Sequence, residues 1–125
     1  MENLRLLIVD DIEDNRLVLN AICRKMEGFD IKEAVDGVDA ITVCETWHPH
    51  IILMDVMMPV LDGLETTRRI RQLPQFRKLP ILALTAKAMK GDREKCIEAG
   101  ANDYLSKPID PERLFSMLRV WLSRE

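Results

Sequence analysis

Short apolar runs alternate along this chain with longer stretches of helical spacing, five of each, and that alternation limits the fold more than any other feature. The runs cover residues 4–9, 29–34, 50–54, 79–84 and 102–106. Strands this apolar are buried on both faces, the condition of a parallel sheet, and parallel neighbours need a crossover between them. The intervening segments supply those crossovers as helices. Residues 12–27 carry Val18, Ala21, Ile22 and Met26 at three- and four-residue steps, with Gly28 placed as a C-terminal cap. Ala40, Ile41, Cys44 and Trp47 mark the face of a second helix, residues 64–72 a third, and residues 88–99 a fourth closed by Gly100. Leu114, Met117, Leu118 and Trp121 line a fifth, which Pro111 opens. The expected architecture is α/β: five parallel strands joined by right-handed crossovers, with helices on both faces.

With 125 residues, 47% apolar and 31% charged, the chain reads as one domain over 1–125, large enough to bury a core. No apolar run approaches the roughly 20 residues that span a bilayer, and no signal peptide is read at the N-terminus. A net charge of −3 argues against a nucleic-acid surface. Cys23, Cys44 and Cys96 are far apart and fall in helical segments, so buried thiols in a reducing, cytoplasmic setting are expected, not disulfides or a zinc site. Trp47 and Trp121 read as packing residues, His48 and His50 as lying opposite the active edge, and Arg68, Arg69 and Arg71 as a solvated face.

In an open parallel sheet the ligand site lies beyond the carboxyl ends of the strands. The polar residues closing the apolar runs are Asp10 and Asp11, Asp55, Thr85 and Lys107, so all of them are expected on one edge. Three crowded carboxylates repel unless a cation is present, and hard oxygens with vacant positions suit Mg²⁺. Their charge of −3 is balanced by Mg²⁺ together with the Lys107 ammonium, leaving a cluster ready to receive further negative charge. Such a cluster suits phosphoryl transfer, with a carboxylate as covalent nucleophile. Asp55 closes a run that is apolar from Ile51, which makes it the central candidate. Thr85 can donate a hydroxyl, Lys107 a compact ammonium, and Lys107-Pro108 is a candidate cis peptide. Taken singly, Asp10-Asp11 is a helix cap, Thr85 a strand end, Lys107-Pro108 a turn and Tyr104 a half-buried sheet residue; it is their combination that points to a site.

Four segments together resemble the receiver domains of two-component response regulators: Val9-Asp10-Asp11; Leu53-Met54-Asp55-Val56-Met57-Met58-Pro59 with Asp62-Gly63; Ala83-Leu84-Thr85-Ala86; and Tyr104-Leu105-Ser106-Lys107-Pro108. The resemblance implies a doubly wound, flavodoxin-like sheet with strand order 2-1-3-4-5. It implies phosphorylation of Asp55 by a histidine kinase or histidine phosphotransfer protein. Mg²⁺ would be held by Asp11, Asp55 and the backbone oxygen of Met57, with Asp10 acting through water. Thr85 and Lys107 would hold the phosphoryl group, and Tyr104 would turn inward as a switch, altering the helix 4–strand 5–helix 5 face toward an output protein. The segment 86–92 is most like receivers of hybrid histidine kinases or their single-domain relatives. Leu61 replaces the family's usual methionine before Asp62-Gly63, a volume-conserving change. Met57 and Lys87 occupy the positions that in many receivers orient the hydrolytic water, and neither is suited to it, so slow self-dephosphorylation is expected.

On this reading the chain is not a turnover enzyme but a switch, monomeric or weakly dimeric. A receiver-like scaffold that is never phosphorylated is the alternative. An aspartyl-phosphate phosphatase fits less well, because its second acid would follow the nucleophile by two residues after strand one.

Overall fold

The computed structural model describes residues 3–86 and 90–123. Five strands, β1 (Leu4–Val9), β2 (Phe29–Ala34), β3 (Ile51–Asp55), β4 (Ile81–Thr85) and β5 (Asp103–Ser106), alternate with five helices. These are α1 (Glu13–Arg24), α2 (Gly37–Trp47), α3 (Gly63–Gln72), α4 (Asp92–Ala99) and α5 (Pro111–Leu122). All strand pairs are parallel and the order is β2-β1-β3-β4-β5, as expected.

Side chains alternate across each strand, and the core divides accordingly. Leu6, Ile8, Ile51, Leu53, Leu82, Leu84 and Leu105 pack with Leu19, Ile22 and Cys23 of α1 and Leu114 and Leu118 of α5. Leu7, Val9, Ile52, Met54 and Ile81 pack on the opposite face with Ala40 and Cys44 of α2 and Ile70 of α3. A smaller group, Ala83, Cys96 and Ala101, joins β4 to α4, with Tyr104 packed against it. Every residue of β3 and β4 is buried, which is why these strands read as unbroken apolar runs.

Several local expectations need correction. α1 is shorter than residues 12–27: Lys25 is its C-cap, and Gly28 instead takes a left-handed conformation (φ 99°) in the turn into β2. The inner face of α1 is Leu19, Ile22 and Cys23, with Met26 packed beside it, while Val18 and Ala21 are exposed; apolar residues lie on both sides of this helix, Leu17 being exposed as well. β3 begins at Ile51, one residue later; the His50 ring accepts the Arg5 N–H (2.8 Å) and the His50 backbone N–H bonds the Arg5 carbonyl (2.7 Å). α4 begins at Asp92 after a left-handed Gly91 (φ 93°); part of the expected earlier start, residues 88 and 89, lies outside the described residues. Arg71 is not on a solvated face. Its guanidinium donates to the carbonyls of Gly100 and Phe76 and to Asn102 Oδ1, each at 2.8 Å. Arg68 and Arg69 are exposed and pair with Glu65.

The three cysteines are buried and free. Among the described residues no helix is long and apolar enough to cross a membrane.

Candidate phosphoryl-acceptor site

The alternation that builds the core also sorts the residues at the carboxyl edge. Asp10 continues the parity of Leu6 and Ile8, Asp55 that of Ile51 and Leu53, and Lys107 that of Leu105. These three meet. Lys107 Nζ lies 3.1 Å from Asp10 Oδ2 and 3.1 Å from Asp55 Oδ1. Both carboxylates are almost wholly buried, Asp10 at 0% and Asp55 at 2% exposure. The Lys107–Pro108 peptide is cis.

Asp10 is fully committed: Oδ1 accepts the N–H of Ile12 (2.9 Å) at the entry to α1, and Oδ2 faces Lys107. The N-cap of α1 is Ile12 and no side chain caps it, so the cap role that Asp10-Asp11 suggests when taken singly is not seen; Asp10 holds the turn before the helix and pairs with Lys107. Asp55 Oδ1 takes Lys107 and, more weakly, the Met57 N–H (3.4 Å). Its Oδ2 accepts no hydrogen bond among the described residues. No fully buried polar side-chain atom of the described residues is left without a partner, so this oxygen keeps some contact with solvent. Asp11 is exposed at the mouth, and the carboxylates of Asp10, Asp11 and Asp55 bring oxygens within 4.8 Å of one another.

Electrostatics follow from this crowding. Burial raises the Asp55 pKa above the ordinary carboxylate value; the Lys107 charge opposes the rise and Asp10 adds to it. For Lys107 burial disfavours the ammonium, but attraction to Asp55 and Asp10 outweighs it, and its pKa is raised. One ammonium serves two buried carboxylates beside a third, leaving excess negative charge at the mouth. The donor set, carboxylate oxygens of Asp10, Asp11 and Asp55 converging within 4.8 Å of one another, fits a divalent cation of the Mg²⁺ type.

The β3–α3 loop is braced from below. Asp62 caps α3 by accepting the Glu65 N–H (2.8 Å), and the Gly63 N–H bonds the Val56 carbonyl (3.0 Å). A Cβ at Gly63 would stand 2.0 Å from the Asp55 carbonyl oxygen, so only glycine lets α3 start this close to β3. Val60 holds a left-handed conformation (φ 65°) in the same loop, uncommon for a β-branched residue.

Thr85 is buried, and its parity is that of Ala83, toward α4 rather than α1. Tyr104 is paired with Ala83 across the sheet and half-buried on that same face. A cleft of about 430 Å³ lies there, lined by Val56, Leu64, Thr85, Asp92, Lys95 and Cys96 among others. Met57 is 58% exposed and its side chain carries no polar donor. Lys87 lies outside the described residues. Sequence reasoning missed Asn15, whose amide approaches Asp10 Oδ1 at 3.5 Å, and Arg16, which donates to the Asp10 carbonyl at 2.9 Å. Their spacing from Asp10 on the outgoing helix was the available signal.

The sequence pattern described as the response regulator receiver domain matches residues 6–119. The response regulator PleD of Caulobacter vibrioides is 41% identical over 115 residues, which are 92% of this chain and 25% of that protein. This chain thus spans about a quarter of that relative. A crystallised receiver domain of the sensor histidine kinase PA1611 from Pseudomonas aeruginosa PAO1 is 40% identical, with a TM-score of 0.89 over 98% of this chain and 99% of that one. That structure is described with a magnesium ion coordinated in its active-site cleft. A putative response regulator from Chloroflexus aurantiacus superposes with a TM-score of 0.93 at 35% identity, covering 98% of this chain and all of that one.

Proposed function

Because the chain belongs to the response regulator receiver domain family, we propose that it is a phosphoryl-accepting switch acting through Asp55. The observation that carries this reading is the division of labour at Asp55: one carboxylate oxygen held by Lys107, the other unengaged and in contact with solvent. The unengaged oxygen attacks phosphorus in line; the new O–P bond forms as the N–P bond of a phosphohistidine breaks, and the imidazole leaves with that electron pair. Lys107 stays on the acceptor, and its charge stabilises the equatorial oxygens. Asp11, Asp55 and the Met57 carbonyl would hold Mg²⁺, with Asp10 acting through water. The ion supplies charge neutralisation when bound.

The donor is a histidine kinase or histidine phosphotransfer protein. Exposed Ile12, Leu17 and Val18 on the α1 side of the mouth, and a cleft of about 480 Å³ bounded by Val18, Lys107, Pro108 and Ile109, provide an apolar docking surface for it. The exchange takes place in the cytoplasm, and the chain is a switch without turnover on a separate substrate. On loading, Thr85 is drawn to the phosphoryl group and Tyr104, already packed on the same face as Thr85, shifts toward the cleft and alters the α4–β5–α5 surface. This is a shift between two packings.

Labelling with phosphoramidate followed by hydroxylamine tests the chemistry. Rapid loss of label identifies an acyl phosphate, as expected for Asp55; label that resists hydroxylamine would place it on a hydroxyl such as Thr85 and refute the assignment.

A further inference from the structure

The Arg71 side chain, buried enough that desolvation lowers its pKa, ties together five parts of the chain. Nε donates to the Gly100 carbonyl at the end of α4, and one terminal nitrogen to the Phe76 carbonyl. The other terminal nitrogen donates to Asn102 Oδ1, which also accepts the Ile81 N–H (2.8 Å) at the start of β4. All three acceptors of the guanidinium are neutral, so the fork is held by direction and not by ion pairing. Gly100 is left-handed (φ 113°), its N–H closes α4 on the Cys96 and Ile97 carbonyls, and a Cβ there would stand 2.7 Å from Arg71 Cγ. The arginine stem therefore lies directly on the glycine that ends α4.

The two ends of α4 differ. Its C-terminal end is bound into this knot, where the Cys96 carbonyl accepts the Gly100 and Ala101 N–H groups, whereas Asp92 and Lys95 in its first turn line the cleft that Thr85 also lines. We propose that the Arg71–Gly100–Asn102 knot is the fulcrum on which α4 turns, so that loading of Asp55 moves the N-terminal end of the helix while its C-terminal end stays in place. The inference rests on the switch reading above and adds where the motion stops. It makes Arg71 a positioning residue, remote from the reacting atoms.

Backbone amide chemical shifts of the whole chain, recorded with Mg²⁺ before and after beryllofluoride addition, read the motion directly. In the wild type, large shifts are expected at residues 92–95 and none beyond the line width at residues 99–102. Arg71→Met should spread the response through Gly100 and Ala101. Asn102→Asp keeps both acceptor bonds and should retain the wild-type pattern. Should Arg71→Met fail to fold, Arg71→Lys, whose three donors sit on one nitrogen and cannot span acceptors met by three separate nitrogens, carries the same expectation. Equal shifts at both ends of α4 in the wild type, or an unchanged pattern in the folded Arg71 variant, would overturn the fulcrum while leaving the receiver reading intact. Absence of any response at Val56 and Met57 would mean that beryllofluoride does not engage Asp55, and both readings would fall together.

Discussion

At the scale of single residues, the site is held in a state of unrelieved charge. Asp55 is buried, and its folded-state pKa lies above the ordinary carboxylate value because burial outweighs the Lys107 attraction. A carboxyl group raised in this way favours the folded state at pH values below its ordinary pKa. That contribution disappears as pH rises through the raised value, where the buried group must ionise. Without metal, Asp55→Asn is therefore expected to melt a few degrees above the wild type at neutral pH, on the order of 1 kcal/mol at this chain length, with the gap closing in acid. Thermal melts across pH in a chelator check this; a variant less stable than the wild type at neutral pH would contradict it. Met57 gives a kinetic expectation. Its exposed thioether cannot orient a water, so Met57→Asn should shorten the acyl phosphate lifetime, on the order of tenfold, as measured by decay of labelled protein. An unchanged decay would show that residue 57 does not set the lifetime. The acidic and lysine positions were legible because each closes an apolar run, and the two-residue alternation places Asp10, Asp55 and Lys107 on the same face. Arg71 was not legible: nothing distinguishes it from Arg68 and Arg69 in the string. Its partners are largely backbone carbonyls, which leave no mark in a sequence.

At the scale of elements, the β3–α3 junction converts a strand end into a site. Asp55 ends β3, and α3 begins only after a loop closed by the Asp62 cap and the Gly63 N–H to the Val56 carbonyl. Because a methyl at Gly63 would collide with the Asp55 carbonyl oxygen at 2.0 Å, backbone must shift to admit it. Gly63→Ala is expected to cost about 3 kcal/mol through overpacking and to impair phosphorylation by displacing the Asp55 loop. Denaturant titration checks the first effect and adduct yield the second; a variant with wild-type stability and yield would show that the junction is not tight. Element types were readable from period and length, whereas ends were read less well. α1 stops at Arg24, short of the expected Glu27, and its inner face falls on Leu19 and Cys23 rather than Val18 and Ala21. Apolar residues on both sides of that helix leave its rotation undetermined until β1 and α5 pack against it, and the exposed remainder is what the proposed donor would cover.

At the scale of the whole molecule, one sheet serves two purposes on its two faces. The α1–α5 side presents Asp10, Asp55 and Lys107, and the α4 side presents Thr85 and Tyr104, with strand pairing across β3, β4 and β5 linking them. A phosphoryl group placed at the carboxyl edge thus lies where both faces can respond to it. The account depends first on Asp55 being the acceptor in a cation-dependent reaction. The measurement that tests this most directly is intact mass after incubation with acetyl phosphate and Mg²⁺, run beside Asp55→Asn and a chelator control. One added phosphoryl group on the wild type, absent from the variant and absent without the cation, is the predicted result. An adduct that persists in Asp55→Asn, or a wild-type chain that takes up none under any of these conditions, would contradict it.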